Sequence, residues 1–130
     1  MKLLLDTHIL LWGLLDPSKL SRRVAIELES AENELWLSPI SAWEVLVLVD
    51  KGRIALDAEP QAWLRRVAKA LALKEAPLTH EVALRSRLVD VPHQDPADRF
   101  LAATAVVYGL TLVTADVRLI ESRGFSVLAN

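Results

Sequence analysis

The 130 residues carry 17 acidic and 15 basic side chains, a net charge of −2, and no cysteine. That length suits one domain able to bury a core without staples, and the lack of cysteine excludes a disulfide framework and any thiolate metal site. The near-neutral charge excludes the general basic excess of a protein that coats nucleic acid, and a hydrophobic fraction of 52% excludes a disordered chain.

Lys2 to Leu5 is a short, nearly continuous apolar run, which predicts a strand buried on both faces. It does not read as a secretory signal, because Asp6 and His8 interrupt it and no convincing small-residue cleavage site follows. His8 to Leu15 reads as a helix stopped by Asp16-Pro17, and Ser21 to Ala31 as a second, capped by Ser21 with Val24, Leu28 and Ala31 facing inward. Glu34 to Ser38 is the second strand. Ser41 to Asp50 is helical and ends at Lys51-Gly52, a left-handed C-terminus. After Pro60, Gln61 to Leu73 is a helix with Trp63, Val67 and Leu71 on one stripe. A short strand around Ala76 to Leu78 leads to a helix from His80 to Leu88. Pro96 to Tyr108 is the next helix, closed by Gly109. A strand at Leu110 to Val113, a short helix at Val117 to Ser122 and a strand at Ser126 to Leu128 complete the chain.

The uncharged stretch 100–115 is shorter than the roughly 20 residues that span a bilayer, and Gly109 divides it. A soluble, cytoplasmic protein is expected. Strands alternating with amphipathic helices predict an α/β fold: a single domain over residues 1–130, with a mainly parallel central sheet flanked by helices. In such sheets ligands bind beyond the carboxyl ends of the strands.

Four acids are expected on that edge. Asp6 follows the first strand, Glu44 lies in the first turn of the helix after the second, Asp98 opens the helix starting at Pro96, and Asp116 follows the strand at Leu110 to Val113. Each has a purely structural reading. Asp6 and Asp116 suit N-caps, Ser41-Ala42-Trp43-Glu44 has the form of a capping box, and Asp95-Pro96-Ala97-Asp98 is a helix start in itself. Capping, however, does not require all of them on one edge, and Ser, Thr or Asn would serve. Converging carboxylates with hydroxyls nearby, here Thr7 and Thr114, are what a hard divalent cation such as Mg²⁺ or Mn²⁺ requires. The three histidines (His8, His80 and His93) are scattered and form no zinc pattern.

Leu4-Leu5-Asp6-Thr7-His8, Ser38-Pro39-Ile40-Ser41-Ala42-Trp43-Glu44-Val45, His93-Gln94-Asp95-Pro96-Ala97-Asp98-Arg99 and Leu112-Val113-Thr114-Ala115-Asp116 together resemble the PIN-domain proteins. Within them the match is to the VapC type, the toxins of bacterial and archaeal toxin–antitoxin pairs. The motifs occur in family order and cover nearly the whole chain. The resemblance implies a Mg²⁺- or Mn²⁺-dependent endoribonuclease that inhibits translation, with Asp6, Glu44, Asp98 and Asp116 as catalytic metal ligands. It also implies a homodimer and a small antitoxin that blocks the acidic site. Ala97 and the small residues after Leu101 depart from many relatives but remove no acid.

Around the quartet, Arg99 reads either as a contact to the substrate phosphate or as a brace paired to a neighbouring carboxylate. Asp95 reads as a cap beside the site, Ser41 and Thr7 as supporting groups, and Thr114 as a hydroxyl for a metal-bound water. His93 reads as a ligand-orienting group or a loop residue without a role. Residues 61 to 87 place Arg65, Arg66, Lys69, Lys74, Arg85 and Arg87 against only Glu75 and Glu81, either an RNA track or a solvated helix face. Trp12, Trp36, Trp43 and Trp63 lie in apolar stripes and are expected in the core or an interface. The alternatives are a catalytically silent PIN-like module that binds RNA or protein, a non-toxin PIN nuclease, and another Mg²⁺-dependent α/β domain. A haloacid-dehalogenase-like phosphatase would need Asp-x-Asp at the first strand end, and a phosphotransfer receiver paired acids there; neither pattern occurs.

Overall fold

Lys2–Leu5 forms β1, the middle strand of a five-stranded sheet in the computed structural model, which describes residues 1–92 and 94–130. The His93 reading lies outside the described residues. The strand order is β3-β2-β1-β4-β5, with β2 at Glu34–Leu37, β3 at Lys74–Glu75, β4 at Thr111–Thr114 and β5 at Ser126–Ala129. All four strand pairings are parallel, and Leu4 stands opposite Trp36 on one side and Leu112 on the other. One isolated antiparallel bridge joins Asp90 and Arg123.

Side chains alternate across a strand, so β1 feeds two cores. Leu3 and Leu5 point into one, with Ile9, Val24, Val45, Trp63 and Val67. These come from α1 (Thr7–Leu15), α2 (Arg22–Glu29), α3 (Pro39–Asp50) and α4 (Pro60–Ala70). Leu4 points into the other, with Leu101, Ala102, Ala105, Leu112 and Leu119. That layer holds α5 (His80–Arg85), α6 (Pro96–Tyr108) and α7 (Val117–Ile120). Leu3, Leu4, Ala102 and Ala103 are wholly buried; alanines let α6 lie close on the sheet. Gly109 ends α6 at φ 64°, a left-handed conformation that glycine adopts without strain.

Most elements fall where the sequence places them, with several corrections: α2 ends at Glu29, which leaves Ala31 exposed rather than facing inward, and α4 ends at Ala70 rather than Leu73. α3 begins at Pro39, not Ser41, because Ser38 accepts from the Ile40 N–H and Pro39 takes the first helical position. The edge strand is Lys74–Glu75 rather than Ala76 to Leu78: Ala76 turns into the core and Pro77 has no N–H to extend the ladder. α5 stops at Arg85, and a short 3-10 turn at Pro17–Lys19 follows α1. Of the tryptophans, only Trp63 is fully core; Trp43 is 57% exposed, and Trp36 lies between the Tyr108 ring and the Lys74 ammonium. Two of the six basic residues of the 61–87 segment are engaged in ion pairs, Arg66 with Asp57 and Lys74 with Glu34. Among the described residues no helix is long and apolar enough to cross a membrane.

Candidate active site

β1 and β4 lie side by side but their connections leave in opposite directions across the sheet, which opens a crevice at their carboxyl ends. A cleft of about 420 Å³ occupies that place, lined by Asp6, His8, Trp12, Glu44, Asp95, Asp98, Ala115, Asp116 and Arg118. The four acids expected from sequence are therefore together, from four different segments, with Asp95 beside them. His8 and Trp12 face each other across 5.8 Å on one wall.

The acids are held mainly by two buried threonines. Asp6 caps α1, accepting from the Thr7 N–H at 2.8 Å through Oδ1, and its Oδ2 accepts from the Thr114 hydroxyl at 2.7 Å. Thr114 Oγ1 in turn accepts from the Asp116 N–H at 3.0 Å. The Thr7 hydroxyl donates to Glu44 Oε1 at 2.8 Å. Both threonines are essentially without solvent exposure, and Thr114 links Asp6 to Asp116. Glu44 does not return to the start of α3 in a capping box, because Ser38 has taken that role. Ser41 Oγ is buried without a hydrogen-bond partner among the described residues.

Asp95 caps α6 by accepting from the Asp98 N–H at 3.2 Å. Capping and a place in the cleft therefore coincide at Asp95, as they do at Asp6 and Asp116. Arg99, one residue on, turns away from the cleft: it is 7% exposed and donates to the carbonyls of Ser86, Val91 and Val89 at 2.9, 3.0 and 3.3 Å. The phosphate-contact reading of Arg99 is thereby corrected. It is a brace that holds backbone carbonyls and fixes residues 86–91 against the start of α6.

Crowded carboxylates in a half-buried cleft resist ionising together. Burial is the main cause that raises the Asp98 carboxyl to about 7, and the charges of Asp95, Asp6 and Asp116 add to it while Arg118 opposes it. Burial raises Asp6 as well, against the hydrogen bonds from Thr114 and Thr7. Glu44 is raised by burial and by the charges of Asp6 and Asp95, opposed by the Thr7 hydroxyl. Arg118 is the counter-cation: its Nη2 lies 3.0 Å from Asp116 Oδ2 and 3.6 Å from Asp98 Oδ2. Neither Arg118 nor the His8–Trp12 wall was picked out from sequence.

The four carboxylates supply oxygen donors of the kind a hard divalent cation takes. In this conformation no group of three or more His, Cys, Asp or Glu side chains among the described residues forms a ready-made metal site. Asp98 and Asp116 are paired to Arg118 instead.

A parallel α/β domain with acids gathered beyond the carboxyl edge of its sheet is what a PIN domain is expected to show. The family model for the PIN domain matches residues 3–124, and the chain belongs to that family. It is 35% identical over 123 residues to ribonuclease VapC22 of Mycobacterium tuberculosis, a match covering 92% of this chain and 91% of that protein. The fold is similar to VapBC2 from Rickettsia felis bound to a DNA fragment from their promoter, with a TM-score of 0.75 at 17% identity over 99% of this chain and 98% of that one. It is also similar to DNA-bound VapBC from Salmonella typhimurium, at a TM-score of 0.68 and 20% identity over 99% and 98% of the two chains.

Proposed function

We propose that the protein is a divalent-metal-dependent endoribonuclease and the toxin of a toxin–antitoxin pair, hydrolysing RNA phosphodiester bonds and so inhibiting translation. The observation that carries this reading is the convergence of Asp6, Glu44, Asp98 and Asp116 in one cleft at the switch point of a PIN fold. The similarity to ribonuclease VapC22 supports RNA as the substrate, and the likeness to VapBC complexes supports an antitoxin partner. A homodimer belongs to the same proposal.

In the mechanism, Asp6, Glu44, Asp98 and Asp116 would hold Mg²⁺ or Mn²⁺. When bound, the ion supplies charge neutralisation at the phosphoryl oxygens and a more acidic water. The protein's own part is positional. Thr7 and Thr114 fix the carboxylates of Glu44 and Asp6 by donating to one oxygen of each. The N-termini of α1 and α6 keep partial positive charge beside Asp6 and Asp98. Arg99 holds the start of α6 from behind without touching the reacting atoms.

The experiment is RNA cleavage by the purified protein with Mg²⁺ or Mn²⁺. Asp6→Asn and Asp98→Asn should each reduce the rate by at least about 100-fold, and a chelator should stop it. Cleavage that survives in both variants, or in excess chelator, would overturn the reading. Growth arrest on expression, relieved by co-expressing a short adjacent reading frame, tests the toxin role.

A further inference from the structure

Arg118 is the one arginine or lysine lining the acidic cleft among the described residues. Its Nε lies 3.3 Å from Asp116 Oδ1 and its Nη2 3.0 Å from Asp116 Oδ2, a two-pronged pairing. The same Nη2 reaches toward Asp98 Oδ2 at 3.6 Å. The three partners differ in how they are anchored. The Asp98 and Asp116 side chains are 14% and 26% exposed, whereas that of Arg118 is 56% exposed and lies on the solvent side of both. The acids are built into the fold; the guanidinium rests on them from outside.

The guanidinium already fills a lone-pair site on each Asp116 oxygen, and its positive charge repels a divalent cation brought to the same acids, so the two compete. Resting on the metal-dependent reading above, we propose that Arg118 is an exchangeable counter-cation. It neutralises Asp98 and Asp116 while the metal is absent and yields their oxygens to the metal when it binds. Leaving costs the side chain little, because it gives up a pairing that is more than half in water. The backbone does not need to move: Asp116 also accepts from the Arg118 N–H at 2.9 Å, so α7 stays capped. The displaced side chain remains tethered at the mouth of the cleft. There its planar fork meets the phosphate of an RNA strand entering the site.

The role separates from a structural one by metal affinity. Mn²⁺ alone is titrated calorimetrically into wild type, Arg118→Ala, Arg118→Lys and Arg53→Ala, the last removing an exposed arginine outside the cleft. Arg118→Ala keeps the capping N–H and should bind Mn²⁺ about 3- to 10-fold more tightly, because the competing pairing that lowers apparent affinity is gone. Arg118→Lys should fall between it and wild type, and Arg53→Ala should match wild type. In steady-state cleavage, Arg118→Ala should raise KM for RNA about tenfold, with kcat less affected.

Wild type that binds Mn²⁺ while Arg118→Ala binds no more tightly overturns the exchange and leaves the nuclease reading standing. Equal tightening by Arg53→Ala also overturns it, since general charge would then be the cause. An unchanged KM overturns the contact to RNA phosphate. If neither wild type nor Arg118→Ala binds Mn²⁺, the metal-dependent reading falls and the exchange with it.

Discussion

Thr114 and Asp6 stand 108 positions apart in the chain and are joined by a 2.7 Å hydrogen bond from the threonine hydroxyl to the carboxylate. The same hydroxyl oxygen receives the Asp116 N–H. One buried side chain therefore sets the spacing between two acids of the cleft. Thr114→Val keeps the shape but leaves a carboxylate oxygen and an N–H without their partner. It should cost about 1–3 kcal/mol in urea unfolding and weaken metal binding by about 10-fold or more. Thr114→Ser should restore most of both. A valine variant as stable and as active as wild type would remove Thr114 from the site.

Arg99 offers a test of position against contact. A lysine has one ammonium where the guanidinium reaches the carbonyls of Ser86, Val89 and Val91 among others, so Arg99→Lys should lower unfolding stability by about 2–4 kcal/mol. The KM for RNA in the folded fraction should hardly change. Undiminished stability with a raised KM would instead make Arg99 a phosphate contact.

The raised carboxyl of Asp98 makes stability depend on pH. Its folded value of about 7 lies above the ordinary 3.8, so between these values the folded state holds more protons than the unfolded one. Stability must then fall as pH rises through that window, and the raised carboxyls of Asp6 and Glu44 act in the same direction. The metal-free protein should thus melt higher at pH 5.5 than at pH 8. Asp98→Asn should remove about 1–2 kcal/mol of that difference, allowing for solvent screening. Saturating Mg²⁺ should raise the melting temperature most at the alkaline end. A flat or rising profile in the absence of metal would show that burial and the neighbouring charges do not raise these carboxyls.

Gly109 tests backbone geometry alone. Its φ of 64° is unfavourable for alanine, while a Cβ there would meet nothing within 4 Å. Gly109→Ala should therefore cost about 1 kcal/mol by denaturant unfolding, with cleavage unchanged. A loss of activity at equal stability would mean that the α6–β4 turn does more than close a helix.

Three of the acids were legible from sequence because Asp6 and Asp116 directly follow strands and Asp98 lies in the first turn of α6; Glu44 lies in the second turn of α3, above the same edge of the sheet. α6 was legible for a related reason: Asp95-Pro96 starts it and Gly109 stops it. What the sequence obscured was direction. Asp98 and Arg99 are neighbours, yet one helical step takes the first into the cleft and the second into the protein. Arg99 shares a face with the buried Ala102 and Ala103, three and four positions on, which was the clue to its inward course. Ser41 reads as the cap, but Pro39 accepts the first helical position and the strand-end Ser38 caps the helix instead. Arg118 stands two residues beyond Asp116, a spacing that carries no signal of its own. Only the folded α7 shows that its side chain also reaches Asp98.

The order of the strands has a consequence for synthesis. β1 is made first and needs β4, from the last part of the chain, as its neighbour on one side. A ribosome that has produced Asp6 and Glu44 still has Asp98, Thr114 and Asp116 ahead of it. A partly translated chain therefore has two of the four acids without the partner strand that brings them opposite the rest. On the proposed activity, the machinery making this protein works next to a harmless polypeptide until its closing residues emerge.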